Sequence, residues 1–249
     1  MRITPGPYFL SEMLAADLSL ANHSQTTYLL QGTPNMPGQR PDTCHPPLTI
    51  AILGGEGPSD TALRSALADI ASCWNGPGSE GTVQLQPGQT IMVHQYLALT
   101  SSGHLTLTAR GTFQKIVLGQ DGVVHIVPAS GPLDGRWPAL QVSVARQVPS
   151  ARSISLQRQG LQVHVDAPPA IRDQLLYMSV FICDLGPRST QRSGADNWIA
   201  PPGETIPPPQ CGFSMDNGTA TPSKLERWAY VVGAPGYALA SGTYPSKSG

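Results

Sequence analysis

Six histidines and sixteen acidic side chains supply most of the acid–base and metal-binding chemistry available to these 249 residues. His164 and Asp166 stand two apart in a stretch of alternating polarity, so on a strand both side chains leave the same face. Such a pair can hold a metal ion or orient a catalytic base, but no third partner lies nearby in sequence. The other reading is a histidine and an aspartate facing solvent. His94, His104 and His125 also fall in or beside predicted strands. A hydrolytic triad needs its nucleophile on a shaped turn, and the chain contains no G-x-S-x-G. Leu48 to Gly57 reads as a strand and glycine loop, which before a capped helix can cradle an anion. It is neither G-x-G-x-x-G nor a P-loop, and Glu56 repels phosphate, so a plain connecting loop accounts for it. The sixteen acids offer many carboxylate pairs for glycoside cleavage and no preferred one. No catalytic residue, metal site or cofactor is assigned.

Four cysteines, Cys44, Cys73, Cys183 and Cys211, include no C-x-x-C pair, and Cys44-His45 alone is too little for a metal site. An even count with two in each half suits bridges from Cys44 to Cys73 and from Cys183 to Cys211, one of three connectivities. Each closure is worth about 3 kcal/mol in the chain-entropy view. Four buried reduced thiols are the alternative. A reactive Cys44 or Cys183 would need a positive or helix-terminal setting. Near the end of the chain, Trp228, Tyr230, Tyr237 and Tyr244 gather around Pro235-Gly236, which reads as a turn between two short strands. These aromatics make a contact surface for a glycan or a protein, or else an ordinary sandwich core. Alternation puts Trp228 and Tyr230 on one face. The sequons at Asn22 and Asn217 carry little weight.

The elements that must position these groups are β-strands. With 26 Gly and 25 Pro, a mostly helical bundle is excluded, because breakers would interrupt its helices every few residues. Charged residues are only 12% of the chain and the net charge is −1, which gives no general attraction to nucleic acid or anionic membranes. The longest apolar runs, Leu48 to Leu53 and Leu175 to Ile182, are far shorter than the ~20 residues of a membrane-spanning helix. The start of the chain lacks an apolar core with a cleavage site, so a secretory signal has either been removed or is not used.

Period-two alternation is clearest from His104 to Arg110, where Leu105, Leu107 and Ala109 share one face. Val83–Leu85 and Ile91–Val93 flank a Gln86-Pro87-Gly88-Gln89 turn. Val123–Val127, Leu140–Ala145, Ile154–Leu156 and Leu161–Val165 follow the same grammar. One segment differs: Leu63, Ala66, Leu67, Ile70 and Ala71 recur at helical spacing, with Ser59 or Asp60 as cap, predicting a helix near 59–73. A weaker helical turn is expected at Ser11 to Asp17. The breaker cluster Pro128 to Pro132 suggests two modules, residues 1–128 and 133–249, each of ordinary domain size. Cys44 to Cys183 spans 139 positions and Cys73 to Cys211 spans 138, as in a duplicated sandwich. A single large β domain over 1–249 is the competing arrangement.

Leu85-Gln86-Pro87-Gly88-Gln89-Thr90, Tyr96–Leu99, Gly103–Ala109 and the earlier Leu18–Ser24 resemble bacterial extracellular immunoglobulin-like modules over residues 8 to 113. The likeness implies a sandwich that binds, spaces or stabilises, and it implies no catalytic residues. The helix departs from a minimal sandwich of that kind.

The expectation is therefore an all-β, mainly antiparallel β-sandwich, immunoglobulin-like by resemblance, with one short helix inserted in the first half. Low charge and abundant Pro, Gly, Ser and Thr suit a non-catalytic structural or binding module at an extracellular or cell-surface location. Its partners would be protein subunits or a glycan, with a homo-oligomer possible, no nucleic acid and no membrane span. Exposed strand edges would be covered by a neighbour or blunted by proline. A phage virion component, such as a decoration, tail or fibre protein, is the alternative. A β-rich hydrolase with His164 in a deep pocket is the third reading.

Overall fold

The computed structural model describes residues 1–31, 48–56, 82–111, 113–118, 120–128, 139–184, 192–199, 205–216 and 219–245. The helix expected near 59–73, together with Cys44 and Cys73, lies outside the described residues. The strands up to Pro128 are β1 (Arg2–Ile3), β2 (Tyr8–Phe9), β3 (Met13–Ala21), β4 (Tyr28–Gln31), β5 (Leu48–Glu56), β6 (Thr82–Leu85), β7 (Thr90–Ala98), β8 (Ser102–Gly111), β9 (Phe113–Leu118) and β10 (Val124–Pro128). They are followed by β11 (Ala139–Ala145), β12 (Ser155–Gln159), β13 (Gln162–Asp166), β14 (Leu176–Asp184), β15 (Arg192–Ile199), β16 (Thr205–Ile206), β17 (Phe213–Asp216), β18 (Thr219–Pro222), β19 (Lys224–Gly233) and β20 (Ala240–Tyr244). Helical structure among the described residues is limited to two short 3-10 turns, Ser150–Arg152 and Pro169–Gln174. The fold is all-β, and the strands pair antiparallel except for β2 beside β11.

Alternation in the sequence becomes alternation in burial. Leu105, Leu107 and Ala109 of β8 are buried, whereas His104 and Arg110 face solvent. The Gln86–Gln89 turn is built as its residue types require. Gly88 takes a φ of +75°, and the Gln89 amide donates to the Gln86 carbonyl at 3.0 Å. Its two strands do not pair with each other: β6 joins β4, while β7 joins β3, so the turn passes the chain from one sheet to another.

Two local expectations are overturned. Ser11 to Asp17 is not a helical turn; Met13–Ala21 is a strand that pairs with β7 over all nine of its residues. The helix-favouring Leu14-Ala15-Ala16 yields to this pairing, because Leu14, Ala16 and Leu18 bury together on one face. Gly54-Gly55-Glu56 is not a loop but the bulged end of β5, still paired with β8 through Glu56 and Ser102. Both glycines have φ near +84°, at 83° and 84°, and a Cβ on Gly55 would lie 2.9 Å from the Ser102 carbonyl oxygen.

The sheets stack in layers. The inner face of β3 and β7 contributes Leu18 and Val93 to one cluster with Leu30, Leu48, Leu85 and Phe113, and Leu14 to a second with Leu105, Leu107, Val142 and Val144, against the sheets β2-β11-β8-β5 and β10-β9-β4-β6. Their outer face presents Met13, Tyr96 and Ala98 to Leu176, Met178 and Val180 of β14 and to Val231 of β19. The far face of β14 and β19 carries Tyr177, Phe181, Trp228, Tyr230 and Val232 onto Val163, Val165 and Ile206 of the sheet β12-β13-β16. Strand β19 thus buries side chains on both faces. Backbone hydrogen bonds from Met13 to Tyr237 (2.8 Å), Gly236 to Met13 (2.9 Å) and Leu239 to Ser11 (2.7 Å) stitch the two parts of the chain. A Cβ on Gly233 would come within 2.7 Å of the Met13 sulfur, so this glycine permits the close approach.

Candidate protein-contact edge

The aromatic contact surface expected from Trp228, Tyr230, Tyr237 and Tyr244 does not form as an open platform. Trp228 and Tyr230 do share a face, with ring centroids 4.6 Å apart, but that face is interior and they are only 1% and 3% exposed. Tyr230 lies over Gly242, its neighbour on β20. Burial pushes the Tyr230 hydroxyl up in pKa, partly offset by the Arg158 guanidinium. Tyr237 and Tyr244 are half-buried at the margin of the same core, with Arg158 5.7 Å from the Tyr244 ring centroid. The physical reason is the position of β19 between two layers, where either face must be covered.

The remaining candidates are equally structural. Cys183 and Cys211 form a disulfide with Cα atoms 5.6 Å apart, which ties β14 to the segment before β17 and removes Cys183 as a reactive thiol. His164 and Asp166 share a face as expected, but His164 is met by Thr205 Oγ1 at 3.2 Å and Gln159 Oε1 at 3.3 Å. Asp166 accepts from Ser155 at 3.5 Å. Among the described residues no group of three His, Cys, Asp or Glu side chains is placed to hold a metal ion. On the outer face of β3 and β7, His94 Nδ1 meets Asp17 Oδ1 at 2.6 Å, and the His94 ring packs edge-on to Tyr96. Glu56 pairs with Arg146 at the exposed end of β5. The sequon residue Asn22 is buried, its amide donating to the Leu85 carbonyl at 2.9 Å and the Thr26 carbonyl at 2.8 Å.

One buried acid had no sequence signal. Glu12 is 0% exposed; its Oε2 accepts from the Phe9 amide at 3.0 Å, and its Oε1 has no partner. Burial raises its pKa, an effect opposed by the Phe9 hydrogen bond and by Arg152. Glu12 bridges to Ala238 at the seam between the two parts of the chain.

The feature that stands apart is the β9–β10 hairpin. Its turn is fixed by Gly122 at φ +75° and by Asp121 Oδ1, which accepts from the Val123 amide at 3.0 Å. Register pairs Val124 with Leu118, His125 with Val117, Ile126 with Ile116 and Val127 with Lys115. Phe113 anchors the base in the core, but the hairpin then leaves it: Leu118 is 70%, Val124 60% and Ile126 58% exposed. Val117, Val123 and Val127 are exposed as well, so both faces are apolar and wet. Among the described residues β10 ends its sheet, with order β10-β9-β4-β6, and nothing pairs with its outer edge. An edge of this kind is a template for another strand. The protections usual at such an edge are thin here. Strand β10 carries no lysine, only His125, paired with Asp121 at 3.4 Å, and a terminal Pro128. The run Val123-Val124-His125-Ile126-Val127 already held the signal, since four of its five residues are β-branched and apolar. No protein-family model matches the chain, and no curated protein matches it in sequence.

Proposed function

We propose that this chain is a non-catalytic structural and binding module, at work outside the cytosol or on a surface, which contacts a protein subunit by strand addition along β10. The observation that carries the reading is the hairpin itself: six exposed apolar side chains, Val117, Leu118, Val123, Val124, Ile126 and Val127, beside a backbone edge that pairs with none of the described strands. Apolar side chains exposed on both faces of one hairpin are costly to leave in water and mark an interaction site. A protein partner is favoured over a glycan because a glycan platform needs open aromatic faces, and Trp228 and Tyr230 are interior. The Cys183–Cys211 bridge supports an oxidising compartment. The immunoglobulin-like resemblance of residues 8 to 113 points to the same class of module.

The test uses a synthetic strand, the capped peptide Thr-Val-Thr-Ile-Thr-Val-Thr, titrated onto dilute protein while hydrogen exchange is followed along the chain. Saturable binding that slows exchange of the β10 amides, and that is lost in Val124→Lys, is the expected result. If the peptide does not bind, or protects amides elsewhere, strand addition at β10 is wrong.

A further inference from the structure

Resting on the strand-addition reading, we infer that the strand which β10 accepts is β10 of a second copy of this chain, joined antiparallel about a two-fold axis through Ile126. The strand has five residues, Val124 to Pro128, and an antiparallel self-pairing that uses all of them has one register. Ile126 then opposes itself, His125 opposes Val127, and Val124 opposes Pro128. Directly opposed residues in a sheet share a face. Because Ile126 already pairs with Ile116, the join creates an unbroken row of four isoleucines, Ile116 and Ile126 from each copy. The other face gains two rows in which Val117 and His125 of one copy continue into Val127 and Lys115 of the other. No two charged side chains are brought directly opposite each other, so the cost that like charges impose across strands is avoided. The net charge of −1 adds almost no long-range repulsion between copies. A two-fold contact of this type is self-complementary, as closed homodimers require. It merges the two four-stranded sheets into one, with Val124 and Ile126 donating across the join and Pro128, which has no N–H, accepting only.

The register makes a cross-linking test specific. Opposed Cα atoms in an antiparallel pair are about 4.5–5.5 Å apart, within the range of about 4.4–6.8 Å that a disulfide spans. Ile126→Cys in the full chain should therefore form a covalent dimer on mild oxidation. Leu118→Cys, although more exposed, should not exceed the wild-type background, since the pairing keeps the two Leu118 positions far apart. Sedimentation equilibrium should show a dimer of the wild type, with a dissociation constant raised at least about a hundredfold by Ile126→Lys, which opposes two ammonium groups at the axis. Circular dichroism of each variant checks the fold, which a change at a solvent-facing position should leave intact. A dimer indifferent to Ile126→Lys, or cross-linked equally well through Leu118→Cys, overturns the inference. A chain that stays monomeric while β10 binds the threonine–valine peptide overturns the second copy and leaves the strand-addition reading standing. A monomer that also ignores the peptide overturns both.

Discussion

Strand β10 and the second half of β19, Trp228 to Gly233, are both apolar on their two faces, yet they meet opposite fates. In β19, Trp228, Tyr230 and Val232 face one core while Val231 faces another, and neighbours β14 and β20 occupy both edges. In β10, Val124, Ile126 and Val127 remain in solvent and one edge is unpaired among the described residues. The difference teaches that side-chain chemistry sets what a strand requires, whereas chain order decides whether the requirement is met within one molecule. Strand β19 is supplied by its own flanking elements. Strand β10 ends its sheet among the described residues, so no described strand covers its outer edge, and apolar side chains of the kind that stabilise the fold at β19 are left in solvent at β10.

The largest effect that sharpens this contrast lies in the core of β19. Trp228→Ala empties a site that is 1% exposed, and a loss of about 3–5 kcal/mol in unfolding free energy is expected from chemical denaturation. A loss below about 1 kcal/mol would mean that the layer between β19 and β13 is not packed as described. Removing the neighbouring bridge in Cys183→Ala/Cys211→Ala should lower stability by about 3 kcal/mol, from the loop that the bond closes. Unchanged melting with and without reductant in the wild type would contradict a stabilising bridge there.

What could be read from the sequence follows the same division. The faces of β8 and β13 were legible because each has one wet and one dry side, so Leu105 and Leu107, or Val163 and Val165, announce the core directly. The shared face of Trp228 and Tyr230 was legible too, but whether a layer covers it depends on β12, β13 and β16, which lie apart from β19 in the chain. Ser11 to Asp17 misled because Leu14, Ala15 and Ala16 favour helix locally, while the pairing that overrides them comes from residues 90 to 98. Gly54-Gly55 misled because a bulge exists only relative to the strand opposite. Glu12 gave no sign at all; its burial is produced where Phe9, Leu99 and Ala238 converge.

That seam supplies an intermediate effect with a definite pH signature. Burial holds the Glu12 pKa above its unfolded value, so the folded state prefers the protonated acid. Stability is then greatest below the unfolded carboxyl pKa and falls as pH rises from there through the raised folded value, where the cost is fully present. The groups facing it are Arg152, which opposes the shift, and Tyr8, whose own pKa is raised chiefly by burial and then by Glu12. Glu12→Gln keeps an acceptor for the Phe9 amide and removes the charge. Its unfolding free energy should gain on the wild type as pH is raised from acid to neutral. Parallel stability curves for the two proteins across that range would show that the buried carboxyl does not titrate with folding.

The smallest expected effect is the most direct measure of the contrast between the two strands. Val231→Ala in β19 and Ile126→Ala in β10 both trim β-branched apolar side chains from strands of this protein. Val231 is 0% exposed and loses packing on truncation, so a cost of about 2 kcal/mol is expected. Ile126 is 58% exposed, and in dilute protein its truncation should change stability by no more than about 0.5 kcal/mol. The two values have to be measured at a concentration where the chain is monomeric, because association through β10 would add its own stabilisation to the wild type. If Ile126→Ala costs as much as Val231→Ala in the monomer, the hairpin is already covered by its own chain, and the unsatisfied surface on which strand addition depends does not exist. If the cost emerges only as the protein concentration is raised, the side chain contributes to association rather than to the fold, which is what the proposed strand addition along β10 requires.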